Sequence, residues 1–304
     1  MRVIVVGAGV VGLSCAVRLL EAGHDVAVLA RDLPLETTSS VAAALWYPYR
    51  ALPQDRVTAW SATSYDVLRD LAAAPETGVV LRHGTEVFRE AQSDPWWGAA
   101  VPDLRRETDL PAPYVDGWSL AAPVVEMPVY LAWLATRVVD LGGSVTRMAL
   151  AALPPGGDLV VNCAGLGSRR LADDPTVVPV RGQVVVVGQV GLDRWWLDTA
   201  APTYVVPRSR DIVVGGTDEV GEWSRTPSPR ATEGILARAT ALVPDLAGAP
   251  VLHARVGLRP VRPEVRLERV DRVVHCYGTG GAGITLSWGL AADVTSMAAA
   301  STSG

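Results

Sequence analysis

The 304-residue chain contains no lysine, so its 27 Lys+Arg positions are all arginine. Schiff-base catalysis, a pyridoxal phosphate anchor and a Walker-type phosphate lysine all need a primary amine, and all are excluded. The same absence, with the abundance of Ala, Gly, Val and Arg, fits a genome rich in G and C. Histidine is scarce. The four, His24, His83, His253 and His275, have no metal-ligand spacing, and each reads as structural. The three cysteines, Cys15, Cys163 and Cys276, are far apart, odd in number and set in apolar stretches. They read as reduced core thiols of a cytoplasmic protein, neither metal ligands nor a disulfide frame, and no metal is expected. No G-x-S-x-G motif or paired-carboxylate constellation supports a hydrolase. No apolar run reaches membrane-span length without glycine or charge, and the N-terminus reads as a strand, not a signal segment. A net charge of -5 with mixed signs gives no reason to expect nucleic acid or an anionic membrane as partner.

At 49% hydrophobic, the chain can bury a large core, as one large domain or two modest ones. Its beginning organises the rest. The Val/Ile run from Val3 to Val6 reads as a strand buried on both faces. Gly7, Gly9 and Gly12, at G-x-G-x-x-G spacing, then open a helix with apolar Leu13, Ala16, Val17 and Leu20. Gly7 permits the tight turn, Gly9 lets a pyrophosphate approach the backbone and Gly12 lets helix and strand pack closely. The free N–H groups and helix dipole favour the anion. With a second strand at His24 to Ala30, the unit predicts dinucleotide binding. Asp32, about twenty residues past Gly12, stands where an acid would hold a ribose hydroxyl, although Arg31 precedes it.

Thr37 to Ser40 lead into small residues and then Leu45, Trp46 and Tyr47, a sequence suited to backbone passing close to a flat ring and a pyrophosphate. A helix is expected over 57–74, followed from 79 to 125 by short strand pieces (79–81, 86–88, 117–120) between Pro, Trp and Gly. Further helices are expected at 127–141 and 232–242, and strands at 159–163, 183–187, 203–206, 212–214, 251–256 and 273–277. The fold class is therefore α/β, a Rossmann-like dinucleotide domain with a second, sheet-rich α+β substrate domain. The two interleave as 1–50, 125–180 and 253–304 for the cofactor, and 51–124 and 181–252 for the substrate.

A second strand, glycine turn and helix begin at Gly278-Thr-Gly280-Gly281-Ala-Gly283. A simple nicotinamide dehydrogenase uses one such turn; a second can set a helix N-terminus beside the reactive ring of a flavin and stabilise its reduced, negative form. Arg259, between Gly257 and Pro260 just beyond a strand end, can grip a carboxylate with two parallel hydrogen bonds. From spacing alone, any of Arg259, Arg262 and Arg266 can instead be structural, paired with Glu264 or Glu268. Tyr204 can add a phenol hydrogen bond to the same carboxylate, or be core with its hydroxyl at the rim.

The segments at 6–14 (Val-Gly-Ala-Gly-Val-Val-Gly-Leu-Ser), 41–49 (Val-Ala-Ala-Ala-Leu-Trp-Tyr-Pro-Tyr), 257–268 (Gly-Leu-Arg-Pro-Val-Arg-Pro-Glu-Val-Arg-Leu-Glu) and 277–285 (Tyr-Gly-Thr-Gly-Gly-Ala-Gly-Ile-Thr) resemble those of the D-amino acid oxidases. The likeness runs nearly end to end. It implies non-covalent FAD and oxidation of neutral D-amino acids to 2-oxo acids, ammonia and hydrogen peroxide, with hydride passing from Cα to flavin N5. It implies Arg259 and Tyr204 as carboxylate anchors and the Gly281 carbonyl as receiver of the amino group. Implied flavin contacts are Gly7, Ala8, Gly9, Val10, Val11, Gly12, Arg31, Asp32, Thr38, Ser39, Ala43, Ala44, Leu45, Gly280, Gly281, Ala282, Gly283, Ile284 and Thr285. Leu45, Tyr47, Val206 and Ala200 would line the substrate pocket. Partners would be a small D-amino acid and dioxygen, with a homodimer as a possible assembly and neither nucleic acid nor membrane. The chain departs from the family where eukaryotic members carry a lid tyrosine, here Ala200, so a short lid or none is expected. Tyr47 stands where the mammalian enzyme has glutamine. Rival readings are a glycine or sarcosine oxidase, of which the sarcosine type uses a lysine absent here, and a D-aspartate oxidase, which needs an extra cation. More distant are a nicotinamide-dependent dehydrogenase and a non-catalytic dinucleotide-binding module.

Overall fold

The computed structural model describes residues 1–48 and 50–300; Tyr49 of the 41–49 motif lies outside the described residues. β1 (Arg2–Val6), α1 (Val10–Glu21) and β2 (Asp25–Ala30) form the opening unit as expected. α2 (Gln54–Leu71) follows, then β3 (Val79–Phe88), β4 (Arg105–Glu107) and β5 (Asp116–Val125). The short pieces read from the sequence at 79–81 and 86–88 are one strand. Gly84 does not break β3, because its missing side chain makes room for a ring: a Cβ there would lie 2.1 Å from Cδ2 of Trp195.

α3 (Met127–Asp140), β6 (Ser144–Arg147), β7 (Leu159–Asn162) and the single-turn α4 (Ser168–Leu171) return the chain to the first unit. β8 (Val178–Gly188), β9 (Trp195–Asp198), β10 (Thr203–Pro207), β11 (Asp211–Gly215), β12 (Glu219–Val220) and α5 (Pro229–Leu242) build the second. β13 (Val251–Val270), β14 (Val273–Thr279) and α6 (Gly283–Ala299) close the chain. β9 and β10 are joined by the turn at 199–202 alone, so no lid loop intervenes, as expected from Ala200.

The strands follow one path, β4-β5-β3-β9-β10-β11-β8-β13-β14-β7-β1-β2-β6, with β12 pairing β8 off it. From β14 to β6 the order is parallel, and β1 and β7 lie inside it and are buried, which explains their unbroken Val/Ile runs. The other half is almost wholly antiparallel; β3 and β9 are its parallel pair. β13 links the halves, pairing β8 from Val251 to Val261 and β14 from Val261 to Val270, with a register shift between Val261 and Arg266. This corrects the reading of Arg259 as lying beyond a strand end. Pro260 and Pro263 look like strand breakers in sequence, but the irregular register near Val261 accommodates residues that cannot donate to a ladder. α2, assigned from sequence to the substrate unit, packs on α6 so closely that a Cβ on Gly289 would lie 2.3 Å from Cα of Trp60. No helix among the described residues is long and apolar enough to cross a membrane.

The cysteines are free and buried, as read from the sequence, and they also lie together. α1, the end of β7 and β14 are spatial neighbours, so Cys15, Cys163 and Cys276 converge in the core, their Sγ atoms within 4.8 Å of one another.

Candidate active site

A cavity of about 1240 Å³ runs along the join between the two halves, large enough for a dinucleotide and a small substrate together. Gly7 to Gly12 line one part, Arg31 and Asp32 one end, Gly278 to Gly281 the middle, and Arg259 and Tyr204 the other end.

The opening turn is built for a ligand that touches backbone. Gly7 has φ +115°, and a Cβ there would sit 2.4 Å from the carbonyl oxygen of Cys163. A Cβ on Gly12 would fall 2.0 Å from the oxygen of Gly7. α1 has no side-chain cap and no acid in its first turn, and the Val10 N–H donates to Ser39 Oγ at 3.1 Å. The N-terminus of α6 likewise has neither side-chain cap nor acid in its first turn. Two helix dipoles thus meet the cavity without a carboxylate to compete with an anionic ligand, a cradle that fits the pyrophosphate and ring of FAD. At the far end Arg31 Nη2 donates to Asp32 Oδ2 at 2.6 Å, and this pairing holds the Asp32 carboxyl below its ordinary range.

Arg259 lies on β13 with its guanidinium flat over Gly182 of β8, where a Cβ would approach Cζ to 2.5 Å. Its Nη1 donates to Thr217 O at 2.9 Å and to Asp218 Oδ1 at 3.1 Å. Among the described residues Nε and Nη2 meet no carboxylate or carbonyl, and the Tyr204 hydroxyl stands against the guanidinium, which leaves a donor edge for a carboxylate. The Tyr204 ring lies over Gly215, its cross-strand partner on β11, where a Cβ would reach 2.1 Å from Cζ. Burial pushes the Tyr204 phenol up, against the pull of the Arg259 charge, so it stays a neutral donor. Arg50 meets Asp218 on its outer side and does not line the cavity.

The three candidate arginines separate. Arg262 Nε donates to Asp174 Oδ2 at 2.9 Å, while Arg266 meets Glu268 at 2.6 Å and the Tyr277 hydroxyl at 2.6 Å. Neither lines the cavity, so both are structural. Burial would raise the Asp174 carboxyl, but bonds from Thr176, Arg262 and Tyr277 hold it at about 2. None of the four histidines lines the cavity either.

Of the expected cofactor contacts, all but Ala282 and Thr285 line the cavity. Ala282 is fully buried behind the turn, its N–H bonded to Thr279 O at 2.9 Å. The Thr285 hydroxyl instead holds the backbone of Tyr47, accepting from its N–H and donating to its carbonyl at 3.0 Å each. Leu45, Tyr47 and Val206 line the cavity, but Ala200 does not. It is an exposed turn residue whose N–H caps Asp198 Oδ1 at 3.1 Å, because the β9-β10 connection is too short to fold over the mouth.

Sequence reasoning missed several participants. Gly182 and Gly215 clear the floor under the two anchors, Asp218 braces Arg259, and Thr199 completes the wall. Glu86, 3% exposed, accepts from the Tyr47 hydroxyl at 2.6 Å and from Thr199 Oγ1 at 3.2 Å. Burial pushes its carboxyl up to about 7, against those two hydrogen bonds. None of these carries a local motif; cross-strand register and the turns between strands bring them to the site.

Comparison with known proteins places the whole chain in one family. The chain is 49% identical to a D-amino-acid oxidase of Rubrobacter xylanophilus, covering 99% of this chain and 97% of the relative. It is 41% identical to a D-amino-acid oxidase of Streptomyces coelicolor (98% and 96% covered) and 36% identical to human D-aspartate oxidase (97% and 94%). Its fold matches the crystal structure of glycine oxidase from Bacillus cereus with a TM-score of 0.82 at 20% identity, over 99% of this chain and 95% of that one. The model of the DAO family, described as FAD dependent oxidoreductase, matches residues 2–297, and the chain belongs to that family.

Proposed function

We propose that the protein oxidises neutral D-amino acids to 2-oxo acids, consuming dioxygen and water and releasing ammonium and hydrogen peroxide. The observation that carries this reading is the pairing of Arg259 and Tyr204 at one end of the cofactor cavity, each over a glycine that clears its place. The D-amino-acid oxidases among its relatives support the same substrate class. In this reading, 1–50, 125–180 and 253–304 bind FAD, and 51–124 and 181–252 bind substrate.

Arg259 takes the substrate carboxylate through its open donor edge while Thr217 O and Asp218 fix its other nitrogen, and Tyr204 adds a neutral hydroxyl donor. Gly281, lining the cavity, offers its carbonyl to the amino group. The first turn would hold the cofactor's pyrophosphate and Asp32 its ribose. FAD, when bound, supplies the acceptor for the hydride of the substrate Cα–H bond and returns both electrons to dioxygen. No side chain is asked to remove a proton from Cα, so catalysis by the protein is mostly positioning.

Arg259→Ala tests the assignment. It should lower kcat/KM for D-alanine at least a hundredfold, about 2.7 kcal/mol of transition-state binding, and near wild-type turnover would remove Arg259 from the site. Anaerobic addition of D-alanine should bleach the flavin absorbance of the wild type; bleaching by L-alanine alone would refute the handedness.

A further inference from the structure

We propose that Glu86 sets side-chain selectivity at this site, disfavouring D-amino acids with an acidic side chain relative to their neutral amides. The inference rests on the D-amino acid reading above and narrows its substrate class.

Cross-strand register carries it. Tyr204 on β10 pairs with Leu197 on β9, and Leu197 pairs with Glu86 on β3. Residues in register on adjacent strands project to the same face, and Tyr204 and Leu197 both line the cavity. Glu86 therefore projects toward the cavity side of the sheet, two strands and roughly 10 Å from Tyr204. Tyr47 and Thr199, which line the wall, screen it from direct contact and are bonded to its two oxygens. A substrate held at Arg259 and Tyr204 extends its side chain toward this wall.

The charge there is uncompensated. Asp198, also 3% exposed, has Arg89 at 2.8 Å and the Tyr114 hydroxyl at 3.1 Å. Among the described residues Glu86 has hydroxyl donors only and no ion pair. Its other neighbours bring no nearby cation: Trp118 faces it across β5, and Asp198 adds a like charge. With burial holding the carboxyl near neutral titration, the wall is negative above that point and neutral below it. In a partly desolvated pocket, a second substrate carboxylate meets that charge with little solvent screening.

D-Asparagine and D-aspartate have nearly the same shape and differ in charge, so their KM ratio isolates the effect. The holoenzyme is assayed for peroxide with both, and with D-alanine, at about pH 8.5 and about pH 6. At the higher pH the wild type should show a far larger KM for D-aspartate than for D-asparagine, with similar kcat. Glu86→Gln should shrink that ratio at least tenfold, about 1.4 kcal/mol. Glu86→Asp, which keeps the charge, should retain most of the discrimination. The wild type alone gives an independent reading, since its ratio should fall at least threefold at the lower pH, where Glu86 is protonated and D-aspartate is still charged. Equal shifts for both substrates in Glu86→Gln, or a wild-type ratio unchanged by pH, would overturn the proposal. A wild type that oxidises D-aspartate as readily as D-asparagine would keep the oxidase reading and sink this one. One that oxidises none of the three would refute the oxidase reading itself.

Discussion

Gly182→Ala isolates the positioning of the carboxylate anchor from everything else in the protein. The new methyl group would meet the Arg259 guanidinium at 2.5 Å from Cζ, and at 2.5 and 2.6 Å from its two terminal nitrogens. Ordinary contact lies near 3.5 Å or beyond, so the guanidinium must retreat by about 1 Å. It can do so cheaply, being the far end of a flexible side chain. Gly182 sits within β8 with no positive φ, so alanine there carries no backbone strain and restricts the unfolded chain. Stability should therefore hold or rise by about 0.5 kcal/mol. Catalysis should not hold: a misplacement of about 1 Å at a substrate-orienting group costs on the order of a hundredfold, about 2.7 kcal/mol in kcat/KM. The assay is peroxide release with D-alanine across a concentration series, beside thermal melting followed by flavin fluorescence. Turnover within about twofold of wild type at an unchanged melting temperature would refute the flat seating of Arg259 on β8.

Gly12→Ala should act on the cofactor instead. Its Cβ would lie 2.0 Å from the backbone oxygen of Gly7, which cannot swing away, so the purified variant should lose most of its yellow flavin; full flavin content would contradict the pyrophosphate assignment. Glu86 should also leave a mark on stability against pH. Its carboxyl is raised from 4.5 to about 7 in the fold, so between those values the folded state holds a proton that the unfolded state releases. Stability from this group is fullest below the unfolded value and falls as pH rises through the folded one, by up to about 3 kcal/mol. The melting temperature of Glu86→Gln relative to wild type should accordingly climb from about pH 5 to about pH 8, and parallel curves would show that Glu86 does not titrate in that window.

Legibility in the sequence followed the range of the interaction. The first turn was readable because glycine spacing, the preceding strand and the following helix lie within about twenty residues and each reports on the same geometry. Arg259 was readable as a candidate for the cavity, which it lines, but not its place inside β13, since Pro260 and Pro263 mask a strand whose irregular register tolerates them. Gly182, Gly215 and Glu86 had no signal at all: what they do depends on which residue lies across the ladder, and that pairing spans long stretches of chain. The thiol cluster of Cys15, Cys163 and Cys276 was hidden for the same reason. Ala200 shows the reverse failure: the resemblance placed it at the pocket, but the short turn from β9 to β10 leaves it exposed with its N–H on Asp198.

β13 places Arg259 one residue before Pro260, whose carbonyl accepts the N–H of Gly280 at 3.0 Å. The proposed grip on substrate and the proposed turn at the cofactor are thus joined by a single peptide unit and a single hydrogen bond, with no loop in the path. In any assembly that must hold two objects in register, each joint adds positional error, and here the chain of joints is as short as a polypeptide allows. Glu86, proposed to select the side chain, stands on β3, separated from β13 by β9, β10, β11 and β8. Changes of substrate preference can accumulate on that distant strand while the gauge between the reacting partners stays fixed.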